Sequence, residues 1–224
     1  MAQPSFEQLL QRAVARKGSE KALIEVLPEP RTSAQLAQVT DDRYLSEMAK
    51  CVFRAGFVWQ IIERKWPGFE KAFHGFDSMA CAMLSDEDLE KLAMNTEIVR
   101  NATKIRSVRN NAIFVRQIRE EYGGFGKFLG GWPETDIVGL WELLKQRGDR
   151  LGGNSRAYFL RFVGKDTFIL SQDVVRVLIE AGVVDKTPTS RKALAAVQEA
   201  FNSWQQESGR PLCQISRILA AAAD

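Results

Sequence analysis

Apolar positions recur at spacings of three and four along most of the chain, and strand-like alternation is nearly absent. That pattern predicts helices, near residues 5–16, 41–53, 56–65, 67–73, 86–93, 98–120, 135–146, 154–162, 172–181, 189–206 and 212–222. Some starts are readable. Thr40-Asp41-Asp42 offers a capping oxygen and two acids to the positive end of a helix, and Tyr44, Leu45, Met48 and Val52 follow. Ser85 can cap a helix while Asp88 reaches back. Thr135-Asp136 precedes Ile137, Leu140, Trp141 and Leu144. The breaks are Pro28-Glu29-Pro30, a glycine and aromatic loop from Gly123 to Pro133, and Thr187-Pro188-Thr189-Ser190, which restarts a helix.

Composition changes this picture by exclusion. The 224 residues carry a net charge of +3, which permits nucleic-acid binding without demanding it. No run of about 18 apolar residues exists, so no membrane span is expected. Met1 to Leu10 lacks a basic-then-apolar signal pattern, and a cytoplasmic location is expected. Cys51, Cys81 and Cys213 are far apart and odd in number, which argues against a disulfide framework or a CxxC metal motif. The single histidine, His74, rules out zinc sites built on several histidines and reads as structural or surface-lying. No cofactor and no metal are expected.

Candidate chemistry concentrates in two stretches. From Gly148 a helix ends, a turn containing Gly152 and Gly153 follows, and a new helix opens at Asn154-Ser155 with Ala157, Leu160 and Val163 on its apolar face. Glycines let backbone amides approach a phosphate, and a helix N-terminus adds its dipole. An ordinary helix-loop-helix corner would look the same from the glycines alone. The second stretch runs from Cys51 to Trp59 and continues through Phe69–Asp77 to Ile98–Ile105.

The first stretch resembles the helix-hairpin-helix of DNA glycosylases, whose pattern is roughly Leu-Pro-Gly-x-Gly-x-x-Thr-Ala. Gly153 falls on the second glycine and Ala157 on the alanine, whereas Leu151 replaces the first glycine and Arg156 the threonine. The second stretch resembles the 3-methyladenine DNA glycosylase I family. Ala55, Gly56 and Trp59 match its Ala-Gly-x-x-Trp; Phe73, Phe76 and Asp77 match the next motif; Ile98, Arg100, Lys104, Ile105, Asn111 and Ala112 match the third. The likeness spans residues 40–132, and 147–185 more loosely.

The resemblance implies an all-α, two-lobed helix-hairpin-helix fold with a cleft. One lobe would hold residues 1–54 plus 166–224, closed by Leu212, Ile215, Ile218 and Leu219; the other would hold 55–165. It implies a monomeric, monofunctional enzyme that flips an alkylated base out of double-stranded DNA and hydrolyses its N-glycosidic bond. Trp59 would stack on the base, with Cys51, Phe53 and Trp66 completing the pocket. Gly152, Gly153, Asn154, Ser155, Arg150 and Arg156 would hold DNA. The superfamily's catalytic aspartate corresponds to Asp173 counting from Ala157, or to Ser171 counting back from Arg176; either could instead simply cap the helix. The nearest lysine before the hairpin is Lys145, so no Schiff-base chemistry is expected.

Two departures stand out. The family's glutamate before Ala-Gly is Cys51 here, and a thiol is a poor acceptor. The family's zinc ligands are absent but for Cys213. A second function class follows: a hairpin DNA-binding module that has lost catalysis. A third is a helical scaffold that binds protein. Two further features stay open. The run Arg100, Lys104, Arg106, Arg109, Arg116 and Arg119 either faces phosphates or is a solvated face. Phe125, Phe128 and Trp132 either plug the gap left by a flipped base or anchor their loop.

Overall fold

The computed structural model describes residues 5–223; residues 1–4 and 224 of the expected terminal lobe lie outside the described residues. Among the described residues the chain is all α-helical, without a strand. Helices α1 (Phe6–Lys17), α2 (Glu20–Ile24), α3 (Ser33–Gln38), α4 (Asp41–Arg54), α5 (Trp59–Ala72), α6 (Ser78–Ala82) and α7 (Asp86–Met94) fill the first part. Then come α8 (Ala102–Tyr122), α9 (Phe125–Gly131), α10 (Ile137–Arg147), α11 (Asn154–Val163), α12 (Gln172–Glu180), α13 (Arg191–Ser208) and α14 (Leu212–Ala222). No helix is long and apolar enough to cross a membrane.

The helices group into two compact units. The first comprises the described residues up to Pro30, Pro133–Leu140, and those from Asp166 onward. In it α1 packs on α13 and α14, and α12 packs on α14. The closing face of α14 is as periodicity suggested: Leu212, Ile215, Ile218 and Leu219 are fully buried. The head of α14 has no cap of its own. The buried Asp166 supplies one, accepting from Leu212 N and Cys213 N at 2.8 Å each.

The second unit comprises Arg31–Trp132 and Trp141–Lys165. Residues 31–54, expected with the termini, belong here because α4 packs on α8, α9, α11 and α5. The apolar stripe of α8 is buried at Ile105, Val108, Ala112 and Val115. Two expected helices, 56–65 and 67–73, are the single helix α5, which continues through Pro67. The turn loses one backbone hydrogen bond there. Its neighbour Gly68 passes so close to Glu97 that a Cβ would stand 2.7 Å from that carbonyl oxygen.

The expected loop after Gly123 is in fact helix α9, laid against α3. Its glycines serve close approach rather than flexibility: a Cβ on Gly126 would meet the Leu36 carbonyl oxygen at 2.1 Å, and one on Gly130 the Ser33 oxygen at 3.0 Å. Phe125 and Phe128 are buried. Phe125 packs at ring-centroid distances of 5.3 Å from Tyr44 and 5.6 Å from Phe114. These two rings are anchors, and the plug reading fails for them. Thr40 makes no side-chain cap on α4. Asp41 instead caps α9, accepting from Phe125 N at 2.9 Å.

Candidate functional site

The site lies within the second unit, where the end of α4, the turn into α5 and the first turns of α11 meet. After Arg54 the chain passes Ala55 in extended geometry and Gly56 at φ +75°, a conformation glycine tolerates and L side chains rarely adopt. Phe57 and Val58 follow, both exposed, and α5 begins at Trp59. Lys104 of α8 holds this turn from behind. Its ammonium donates to the Phe53 carbonyl at 3.3 Å and the Ala55 carbonyl at 2.5 Å, and lies 4.4 Å from the centroid of the Phe57 ring. Burial, helped by the nearby charge of Arg150, pushes the Lys104 pKa down.

The opposite wall comes from the hairpin. Arg150 adopts φ +61°, Leu151 is buried, and Gly153 (φ +53°) immediately precedes α11. The buried Asn111 of α8 clasps the turn: its Oδ1 accepts from Asp149 N at 2.7 Å and its Nδ2 donates to Asp149 O at 3.0 Å. Asn110 adds a bond to the Asp149 carboxylate at 2.7 Å. A Cβ on Gly152 or Gly153 would meet nothing within 4 Å, so the outer side of the turn is open. Asn154, Ser155 and Tyr158 then face Cys51, Arg54 and Trp59 across a recess of about 400 Å³. Small-molecule sites run from about 300 to 1,000 Å³.

Trp59 is 44% exposed. Tyr158 and Phe162, one turn apart on α11, meet it edge-on with centroids at 5.6 and 6.0 Å. The Arg54 guanidinium lies 5.1 Å from the Trp59 centroid and 4.8 Å from that of Phe162. It is tied to Glu47 at 3.2 Å and, through Nε, to Glu63 at 3.1 Å. Lys50 also pairs with Glu63, at 2.7 Å. Burial raises the Glu47 pKa, against the pull of Arg54 and Lys50. Cys51 is buried, its Sγ 3.7 Å from Glu47 Oε1. Burial and the Glu47 charge push its thiol pKa well up, so it meets the recess as a neutral group.

The structure therefore brings Cys51, Trp59, Asn154 and Ser155 together. Three other expected residues point elsewhere. Phe53 is fully buried, 4.5 Å from Phe69, because it lies on the inward face of α4. Trp66 stacks on Phe69 and Phe76 and donates to Glu70 at 3.1 Å, about two turns further along α5 than Trp59. Arg156 turns inward: its guanidinium donates to the Trp141 carbonyl at 3.0 Å, and burial lowers its pKa. Arg150 remains exposed at the turn.

The basic run is also divided. Lys104 is buried, Arg109 pairs with Asp86 at 2.8 Å, and Arg119 pairs with Asp41 at 3.5 Å. Arg100 and Arg106 are exposed. Asp173 belongs to the first unit, where it lies exposed in the first turn of α12 and borders a surface hollow with Arg16 and Lys17. Ser171 is the helix cap, accepting from Val174 N at 3.3 Å. Sequence reasoning passed over Arg54, Tyr158 and Phe162. Tyr158 and Phe162 carried a signal, as aromatics at i and i+4 on the hairpin's second helix.

The architecture is that of the helix-hairpin-helix DNA glycosylases. The chain is similar to the 8-oxoguanine DNA glycosylase of Methanocaldococcus jannaschii, with a TM-score of 0.56 and 17% identity over 94% of this chain and 91% of that one. It is similar to 3-methyladenine DNA glycosylase I from Staphylococcus aureus, with a TM-score of 0.51 and 23% identity over 62% of this chain and 80% of that one. The family model for methyladenine glycosylase matches residues 36–147, and the chain belongs to that family. A curated relative, DNA-3-methyladenine glycosylase 1 of Escherichia coli (strain K12), is 30% identical over 92 residues, or 40% of this chain. That match spans about half, 49%, of the relative's length.

Proposed function

We propose that this protein is a DNA repair glycosylase that hydrolyses the N-glycosidic bond of an alkylated base in DNA. The observation that carries the reading is the half-exposed Trp59 on the recess wall, facing the first residues of the hairpin's second helix. A flipped base needs an aromatic face to replace its lost stacking, and DNA beside it needs backbone amides and a helix start to hold phosphate. Base excision on this reading proceeds with water as nucleophile. Asp173 is the electrostatic partner we assign to the cationic sugar; its exposed carboxylate and the separate capping role of Ser171 support the choice.

We further assign a monofunctional mechanism, acting on double-stranded DNA as a monomer. Lys145 is exposed on α10, 3.9 Å from Glu142, and Lys104 is spent on two backbone carbonyls. Borohydride reduction during turnover should trap no covalent protein–DNA adduct. The decisive experiment is incubation of the purified protein with methylated DNA and mass spectrometry of the released bases. Release of an alkylated base by the wild type, lost in Trp59→Ala and Asp173→Asn, is the expected result. DNA binding without release of any base would favour a second reading, a hairpin module without catalysis. The neutral Cys51 thiol, where the family carries glutamate, is the observation on that side.

A further inference from the structure

We propose that the hydroxyl of Tyr158, with that of Ser155 one turn before it, forms the hydrogen-bonding edge that recognises the flipped base. The inference rests on the glycosylase reading and deepens it, since it names the groups that grip the base once Trp59 has stacked on it. Stacking holds a ring by its face, whereas a few placed polar groups at its edge fix its orientation. The α4 wall of the recess supplies little of this kind. Cys51 is a neutral thiol turned to Glu47 Oε1 at 3.7 Å, and sulfur is a weak acceptor. Arg54 and Lys50 are matched by Glu47 and Glu63, two cations against two carboxylates, so this network brings little net charge to the recess.

The α11 wall differs. Ser155 and Tyr158 both line the recess, and their spacing of three puts them on one face of the helix. Among the described residues neither hydroxyl has a hydrogen-bond partner, and neither oxygen is sealed from solvent. Tyr158 is also fixed in place. Its ring meets Trp59 edge-on at 5.6 Å and stacks on Phe162 at 5.8 Å, which leaves mainly rotation of the O–H bond. A hydroxyl donates one hydrogen bond and accepts two, so it suits a purine edge that mixes donors and acceptors, as adenine does at N6 and N7. No proton is asked of these groups. When a purine alkylated at N3 leaves, the electron pair of its bond to C1′ cancels its positive charge, while water bonds to C1′ and gives up a proton to solvent. The hydroxyls act by binding, and being neutral they meet the cationic base without like-charge repulsion.

Tyr158→Phe keeps the ring packing and removes one oxygen. It should slow single-turnover release of 3-methyladenine from methylated DNA by about tenfold, as expected for one lost hydrogen bond to a charged group. Ser155→Ala should slow it severalfold, and Ser155→Thr, which keeps the hydroxyl, should not. The melting temperature and the affinity for undamaged duplex should stay at wild-type values in Tyr158→Phe. Release at the wild-type rate by either Tyr158→Phe or Ser155→Ala overturns the inference and leaves the glycosylase reading standing. An equal loss of affinity for undamaged duplex in Tyr158→Phe overturns it too, by assigning that hydroxyl to the DNA backbone. No release by the wild type overturns the glycosylase reading itself. The recess is then read from quenching of tryptophan fluorescence by free 3-methyladenine, with Trp59→Phe as background. Binding weakened about tenfold in Tyr158→Phe supports the inference. No quenching in the wild type, or quenching unchanged in that variant, defeats it.

Discussion

Arg150 and Arg156 stand six residues apart at the hairpin, and their side chains go opposite ways. Arg150 is exposed, held at φ +61° by a turn that Asn111 clasps. Arg156 lies against Trp141, 5.5 Å from its ring centroid, with its side chain 11% exposed. If Arg150 meets a phosphate, Arg150→Ala should reduce the slope of log K against log salt by about 0.9. Arg156→Ala should leave that slope unchanged and lower the melting temperature instead. Salt titrations by fluorescence anisotropy, with melts alongside, check both. Trp59→Ala should weaken binding to damaged DNA by about 1–3 kcal/mol, the range of one base–aromatic stack, and barely change binding to undamaged duplex. The sequence placed both arginines at the hairpin but could not choose their rotamers, because those depend on which carbonyls and rings the fold leaves within reach.

At the scale of elements, the contact between α3 and α9 depends on hydrogen atoms. Gly126 admits the Leu36 carbonyl where any Cβ would collide. Gly126→Ala should therefore destabilise the protein by about 1–3 kcal/mol through overpacking. Gly131, in the same helix, has open space around its Cβ position, so Gly131→Ala should be neutral or stabilising by up to about 1 kcal/mol. Urea denaturation of the pair distinguishes close packing from simple helix propensity. Asn111→Ala should cost about 1–3 kcal/mol by stranding the Asp149 backbone, and should also weaken DNA binding by loosening the turn. α9 was illegible because glycine-rich segments read as loops by propensity. The reason for these glycines lies on another helix 90 residues away in the chain. A turn before α11 was legible from its glycines, but its reading as a hairpin came from the resemblance, since the glycines alone fit any helix-loop-helix corner.

At the scale of the whole molecule, each unit carries its own candidate residue. Trp59 comes from one and Asp173 from the other, while the family match ends at residue 147, ahead of the hairpin turn and of Asp173. Asp173→Asn should abolish base release with little loss of affinity for damaged DNA; equal loss of both would reduce Asp173 to a structural role in α12. Single-turnover release and anisotropy on the same preparation separate the outcomes. Sequence alone determined the all-α class, most of the long helices and the Trp59 stretch, since each rests on local spacing of apolar groups or on a contiguous motif. Tertiary structure decided how several helix ends are satisfied: Asp41 caps α9, Asp166 caps α14, and Gln198 accepts from Val138 N in α10 at 3.0 Å. It also decided that Phe53 is core and Trp66 stacks on Phe69, while Arg54 faces the recess. Orphan amides and side-chain directions are settled by whatever the fold brings near, and that proximity is written nowhere in the local pattern.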